Sequence, residues 1–176
     1  MQLLGLGIDI IELDRVRKVF ARHPLRFVER VLTPRERERA RQLRDPTTYL
    51  AGRFAAKECI LKVLGTGLSQ GISWQQVHVI REPSGAPAVY LSGKALERAR
   101  RMGLGRILVS ISHGKDYAIA QALGVRGDPE SLRLPGTTEQ EPGTTEQETG
   151  APEQEPGTPG QVPGRPGRRA KGSPEP

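Results

Sequence analysis

Cysteine is almost absent from this chain of 176 residues. With Cys59 alone no internal disulfide can form, and a reducing compartment, the cytoplasm, is the expected setting. No apolar run comes near the ~20 residues that span a bilayer, so no membrane span is expected. The start, MQLLGLGIDI, lacks a basic n-region, and Asp9 breaks its apolar stretch too early for a secretory signal. Aromatics are scarce: three Phe, three Tyr and one Trp, all before residue 126.

From Arg126 to Pro176 large apolar residues are scarce too, with only Leu132, Leu134 and Val162, while Gly and Pro abound. A seven-residue unit repeats there, TTEQEPG, TTEQETG, APEQEPG over 137–157, with no apolar seam for a coiled coil. Such a segment buries too little apolar surface to offset its conformational entropy. The expected organisation is one folded domain at 1–125 followed by a disordered tail at 126–176. Charge divides at the same place. Residues 1–125 hold 21 Lys and Arg against 11 Asp and Glu, while 126–176 hold 6 against 9. The folded part is therefore more basic than the whole-chain +7 suggests, which favours an anionic partner.

What remains has clear periodicities. LLGLGIDIIEL alternates with period two, putting Leu4, Leu6, Ile8 and Ile10 on one face and Gly5, Gly7, Asp9 and Ile11 on the other, as in a strand. Two glycines weaken a strand unless something approaches the backbone closely on their face. Asp14 looks like the N-cap of a short basic helix, and LRFVERVL is a further apolar-periodic piece. Thr33, Pro34 and Glu36 form a capping box, and Asp45-Pro46 opens a long helix that Gly65 stops. Trp74–Arg81 and Ala88–Leu91 read as a hairpin around EPSGAP, GKALERARRM as a helix, and RILVSIS with YAIAQAL as a second hairpin. Helices and strands without regular βαβ alternation predict an α+β fold whose mainly antiparallel sheet packs around the long helix.

That helix, RFAAKECILKVLGTG, is apolar round most of its circumference yet carries Lys57, Glu58 and Lys62. Glu58 and Lys62 stand four apart, on one face. Either they are a surface pair on a solvated strip, or they line a site in which the carboxylate binds a hard cation and the ammonium binds phosphate. Asp9 bears on the choice, because a carboxylate in an apolar strand is costly unless it is paired or coordinating. If the glycine face packs near the helix, Asp9 and Glu58 converge as two oxygen ligands; the alternative is that Asp9 pairs with an arginine. His113 ends a strand, where it is either structural or within reach of a ligand. Cys59 belongs to the core. Arg15, Arg17, Lys18, Arg22 and Arg26 are either a solvated basic face or a dock for an acidic helix.

GIDIIELDRV with RFVERVLTPRE, then RFAAKECILKVLGTG with GISW, then VSISHGKDYAIAQ resemble, in order, the signatures of the holo-[acyl-carrier-protein] synthase family, the small bacterial 4′-phosphopantetheinyl transferases. The resemblance covers residues 1–124 and leaves the repeats unexplained. It implies the 4′-phosphopantetheinyl transferase fold. It also implies transfer of the phosphopantetheine arm of coenzyme A to a serine of apo acyl carrier protein, in fatty acid biosynthesis, with release of adenosine 3′,5′-bisphosphate. By the same resemblance Asp9 and Glu58 bind magnesium and, with Lys62, form the catalytic set. Lys62, His113 and Arg53 contact coenzyme A. Arg15, Arg22 and Arg26, with Phe27, dock the carrier, and the family assembles as a homotrimer with sites between subunits. Two departures stand out: Ala86 where the family's Gly-Lys-Pro turn has lysine, and Cys59 where alanine is common. A nucleic-acid-binding module is the rival that charge suggests, but the aromatics are not interleaved with basic residues as stacking platforms, so no nucleic-acid partner is expected.

Overall fold

Helix formers from Tyr49 to Leu64, entered through Asp45 and left through Gly65, give the longest element. Asp45 accepts a hydrogen bond from the Thr47 amide at 2.9 Å, and Gly65 ends the helix with φ 69°, a left-handed conformation glycine adopts without strain. In the computed structural model, which describes residues 1–136, this helix is α4 (Thr47–Leu64), and twelve of its eighteen residues are buried. It follows β1 (Leu3–Glu12), α1 (Leu13–Arg22), α2 (Pro24–Val31) and α3 (Pro34–Arg41), and precedes β2 (Val77–Arg81), β3 (Pro87–Leu91), α5 (Gly93–Met102), β4 (Leu104–His113) and β5 (Tyr117–Arg126).

The expected α+β architecture is present. One antiparallel sheet has the order β1-β5-β4, the other pairs β2 with β3, and α4 packs on β1, β5, β4 and β2. α4 is apolar all round because it meets elements on most sides: Ala55, Ile60, Leu64 and Cys59 lie in a core shared with Val77, Leu91, Leu96 and Ala120. Among the described residues, the opposite face of the three-stranded sheet carries exposed apolar side chains. Leu6, Ile8 and Ile10 are 57%, 56% and 62% exposed, beside Tyr117, Ile119 and Leu108.

Four local expectations are corrected. Asp14 does not cap α1, whose N-cap is Glu12; it sits in the first turn and pairs with Lys18 at 2.7 Å. Trp74–Gln76 is a 3-10 turn, so the strand starts only at Val77. Strand β3 begins at Pro87, one residue earlier than Ala88. The fold also runs past residue 125. Arg126 closes β5, Asp128 caps a 3-10 turn at Pro129–Leu132, and Leu132 is 2% exposed, inside the core. Buried Leu132, the Arg100–Glu130 ion pair at 2.7 Å and the Leu91–Arg133 bridge anchor that turn, against the segment's unfavourable composition. The repeats at 137–157 lie outside the described residues.

Candidate active site

The glycine face of β1 sets the site. A Cβ on Gly7 would stand 1.9 Å from the Cys59 carbonyl oxygen, and one on Gly5 2.8 Å from that of Val63, so β1 and α4 touch backbone to backbone. Nothing larger than glycine admits that approach. Asp9, two residues further along the same face, therefore emerges against α4. Lys62 donates from Nζ to Asp9 Oδ1 at 2.9 Å and to the Ile8 carbonyl at 2.6 Å. Lys62 thus turns to β1 rather than to Glu58, and Asp9 pairs with a lysine rather than an arginine.

Glu58 accepts a hydrogen bond at Oε1 from the indole N–H of Trp74, at 2.5 Å. Asp9 and Glu58 line one pocket of about 240 Å³ together with Arg15, Phe27, Phe54 and apolar side chains of β1 and α1. No cluster of three or more acidic, histidine or cysteine side chains able to hold a metal occurs among the described residues. Cys59 next door is inert: burial first, then the Asp9 charge, pushes its thiol up to about 12.

Other expected residues lie elsewhere in the chain. Arg53 lines a different pocket, about 270 Å³, with Arg39, Arg81 and Tyr49; its guanidinium lies 4.7 Å over the Tyr49 ring. His113 is exposed at the end of β4, level with Ala118 of β5. Arg15, Arg22 and Arg26 are exposed on α1 and α2, and Phe27 stacks on Phe54 at 6.4 Å. The chain groups Asp9, Glu58, Arg15 and Phe27 at one pocket with Lys62 bonded to Asp9, and leaves Arg53 and His113 outside it.

Sequence reasoning missed Trp74 and the role of Lys57. Lys57 has no exposed surface; its Nζ donates to Glu36 Oε2 at 2.7 Å, Val31 O at 2.7 Å and Trp74 O at 2.9 Å, using all three N–H bonds. Glu36 in turn accepts from the amides of Thr33 and Val79. Burial pulls the Lys57 pKa down and the Glu36 carboxylate opposes that pull. The signal available was a lysine in a helix otherwise apolar on that side.

A family model described as the 4′-phosphopantetheinyl transferase superfamily matches residues 5–122. A Maridesulfovibrio salexigens protein named holo-[acyl-carrier-protein] synthase is 47% identical over 118 residues, 67% of this chain and 94% of that one. A crystal structure of the holo-[acyl-carrier-protein] synthase of Neisseria meningitidis matches with TM-score 0.66 and 31% identity, over 71% of this chain and all of that one (100%). The Bacillus anthracis enzyme in complex with CoA (3′,5′-ADP) matches with TM-score 0.61 and 35% identity, over 72% and 100%.

Proposed function

The chain belongs to the 4′-phosphopantetheinyl transferase superfamily, and we propose from this premise that it moves the phosphopantetheine arm of coenzyme A onto a serine of apo acyl carrier protein. Adenosine 3′,5′-bisphosphate leaves, and the product feeds fatty acid synthesis. The observation that carries the reading is that Asp9 and Glu58 line one pocket with Arg15 of the basic α1, while Lys62 bonds to Asp9 at its edge.

The donor set fits magnesium. Two carboxylates lining one pocket are oxygen donors of the kind a hard cation takes, and such a cation would complete its shell with other oxygens. Asp9 and Glu58 are the residues that hold it; bound there, the ion supplies charge neutralisation on the pyrophosphate. The chain's own groups do the rest. Lys62 has a third N–H beyond those given to Asp9 and Ile8, and that donor takes a phosphate oxygen. The carboxylate pair takes up the proton that the serine sheds as its oxygen attacks phosphorus. Arg15, Arg22 and Arg26 receive the acidic carrier, with Phe27 as an apolar contact.

Arg53, beside Arg39 and Arg81, is suited to the phosphates at the nucleotide end of coenzyme A, with His113 as a second contact. Since these stand apart from Asp9 in one subunit, the complete site spans two. The exposed apolar face of Leu6, Ile8 and Ile10 is the surface through which a homotrimer forms. The setting is cytoplasmic, and among the described residues no helix is long and apolar enough to cross a membrane.

Mass spectrometry of apo carrier protein after incubation with coenzyme A and magnesium tests the reading. The phosphopantetheinyl mass increment is expected with the wild type and lost at least 100-fold in rate in Glu58→Gln. Wild-type turnover by Glu58→Gln removes the mechanism.

A further inference from the structure

Trp74 is the chain's only tryptophan, half-buried and held at several points. Its carbonyl accepts from the buried Lys57 at 2.9 Å. One side of the ring system meets Phe54, centroids 5.7 Å apart, and the Arg30 guanidinium lies 5.4 Å from the ring centroid. Its one polar side-chain atom, Nε1, is spent on Glu58 Oε1. An indole N–H only donates, so the carboxylate oxygen is the acceptor in this bond. The bond occupies one of that carboxylate's two oxygens.

We infer that Trp74 is a positioning residue for Glu58: its indole N–H fixes the carboxylate's rotamer and reserves Oε2 for the cation. The inference rests on the reading above in that Glu58 is taken as a cation ligand. Lys57 completes the device. It lies next to Glu58 on α4 but points into the core, where it ties the Trp74 backbone to Val31 at the end of α2 and to Glu36 on α3. The site carboxylate is thus referred to the core through one ring. Partners of this kind orient ligating carboxylates, and their loss typically weakens metal binding about 10–100-fold.

The test measures Mn2+ binding by isothermal titration, without coenzyme A or carrier. Trp74→Phe keeps an aromatic ring against Phe54 and removes the donor. Its Mn2+ affinity is expected to fall about tenfold or more. In turnover, the magnesium concentration for half-maximal rate should rise, with a smaller loss of kcat at saturating magnesium. Loss of Mn2+ binding in Glu58→Gln with full retention in Trp74→Phe overturns the positioning role and leaves the transferase reading standing. Full retention in both overturns both. A second measurement needs no Trp74 variant: the single indole 1H–15N resonance of the wild type should shift on magnesium addition and stay still in Glu58→Gln. A wild-type resonance unmoved at saturating magnesium also overturns the inference.

Discussion

Replacing Gly7 by alanine adds one methyl group where its carbon would stand 1.9 Å from the Cys59 carbonyl oxygen and 2.7 Å from the carbonyl carbon. Real contacts of this kind stay above 3.0 Å, so β1 and α4 must part by about 1 Å. Neither side can yield by rotating a side chain, because both are backbone. Overpacking in a core costs about 1–3 kcal/mol, and a contact without a flexible partner belongs at or above the upper end. For a domain of this size that is a loss of roughly 10 °C in Tm. Separation also carries Asp9 away from Lys62, and an error of 1 Å among reacting groups costs about 100-fold in rate. Gly7→Ala should therefore lose both stability, read by urea unfolding, and carrier modification, read by mass spectrometry. Gly114→Ala is the control, since a methyl there meets nothing within 4 Å. Gly7→Ala with the control's unfolding midpoint and turnover would refute the claim that strand–helix backbone contact sets the site.

Burial holds the His78 pKa below its ordinary 6.5. A group depressed on folding contributes stability that is present above the unfolded pKa and lost as pH falls. The urea midpoint should therefore drop below pH 6.5, with a slope of at most about 1.4 kcal/mol per pH unit, and His78→Gln should flatten it. Truncation after Arg126 removes buried Leu132 and the Arg100–Glu130 pair at 2.7 Å. It should cost about 2–5 kcal/mol in thermal or urea unfolding, whereas a chain ending at Gly136 should match the full chain in stability and turnover. Ile10→Asp alters a side chain that is 62% exposed in one subunit, so it should leave subunit secondary structure intact and shift sedimentation to the single chain. Wild-type sedimentation would exclude this face as the subunit interface.

Where a signal is local, sequence suffices. The capping box of α3 forms as its letters specify, Glu36 accepting from the Thr33 amide at 2.8 Å and Thr33 from the Glu36 amide at 3.4 Å. Gly65 ends α4, and from Gly5 onward the alternation of β1 sorts its faces because the period of a strand is fixed; Leu4 departs from the face expected for it and packs against the core, because the register shifts between Leu3 and Gly5. Asp9 and Glu58 could be brought together on paper because two glycines on one face demand a close neighbour. Trp74 and Lys57 were not legible for a common reason. Glu36 sits in PRERERAR, whose composition reads as solvated, and nothing in its spacing reports that Lys57 reaches it across 21 positions, or that Trp74 reaches back 16 residues to Glu58. Asp14 misled because a capping side chain and a first-turn acid favour the same residue type.

The two lysines of α4 separate what must stay from what must move. Lys57 and Glu36 are 0% and 2% exposed, and every donor of the lysine is used. Removing one partner of such a pair strands the other charge and costs about 3–5 kcal/mol. Lys62 and Asp9 are 49% and 19% exposed, and an ion pair open to water is worth about 0–1 kcal/mol. On the proposed reading, an anionic ligand with its own cation would loosen the Lys62–Asp9 contact at little cost, the ammonium giving its third N–H to phosphate while Asp9 would share its oxygens with the ion. Trp74 lies between the two regimes, with its carbonyl on the fixed lysine and its indole on the working carboxylate. On that reading the site would keep one held carboxylate and one adaptable one, assembled before the substrate arrives and still able to accept it.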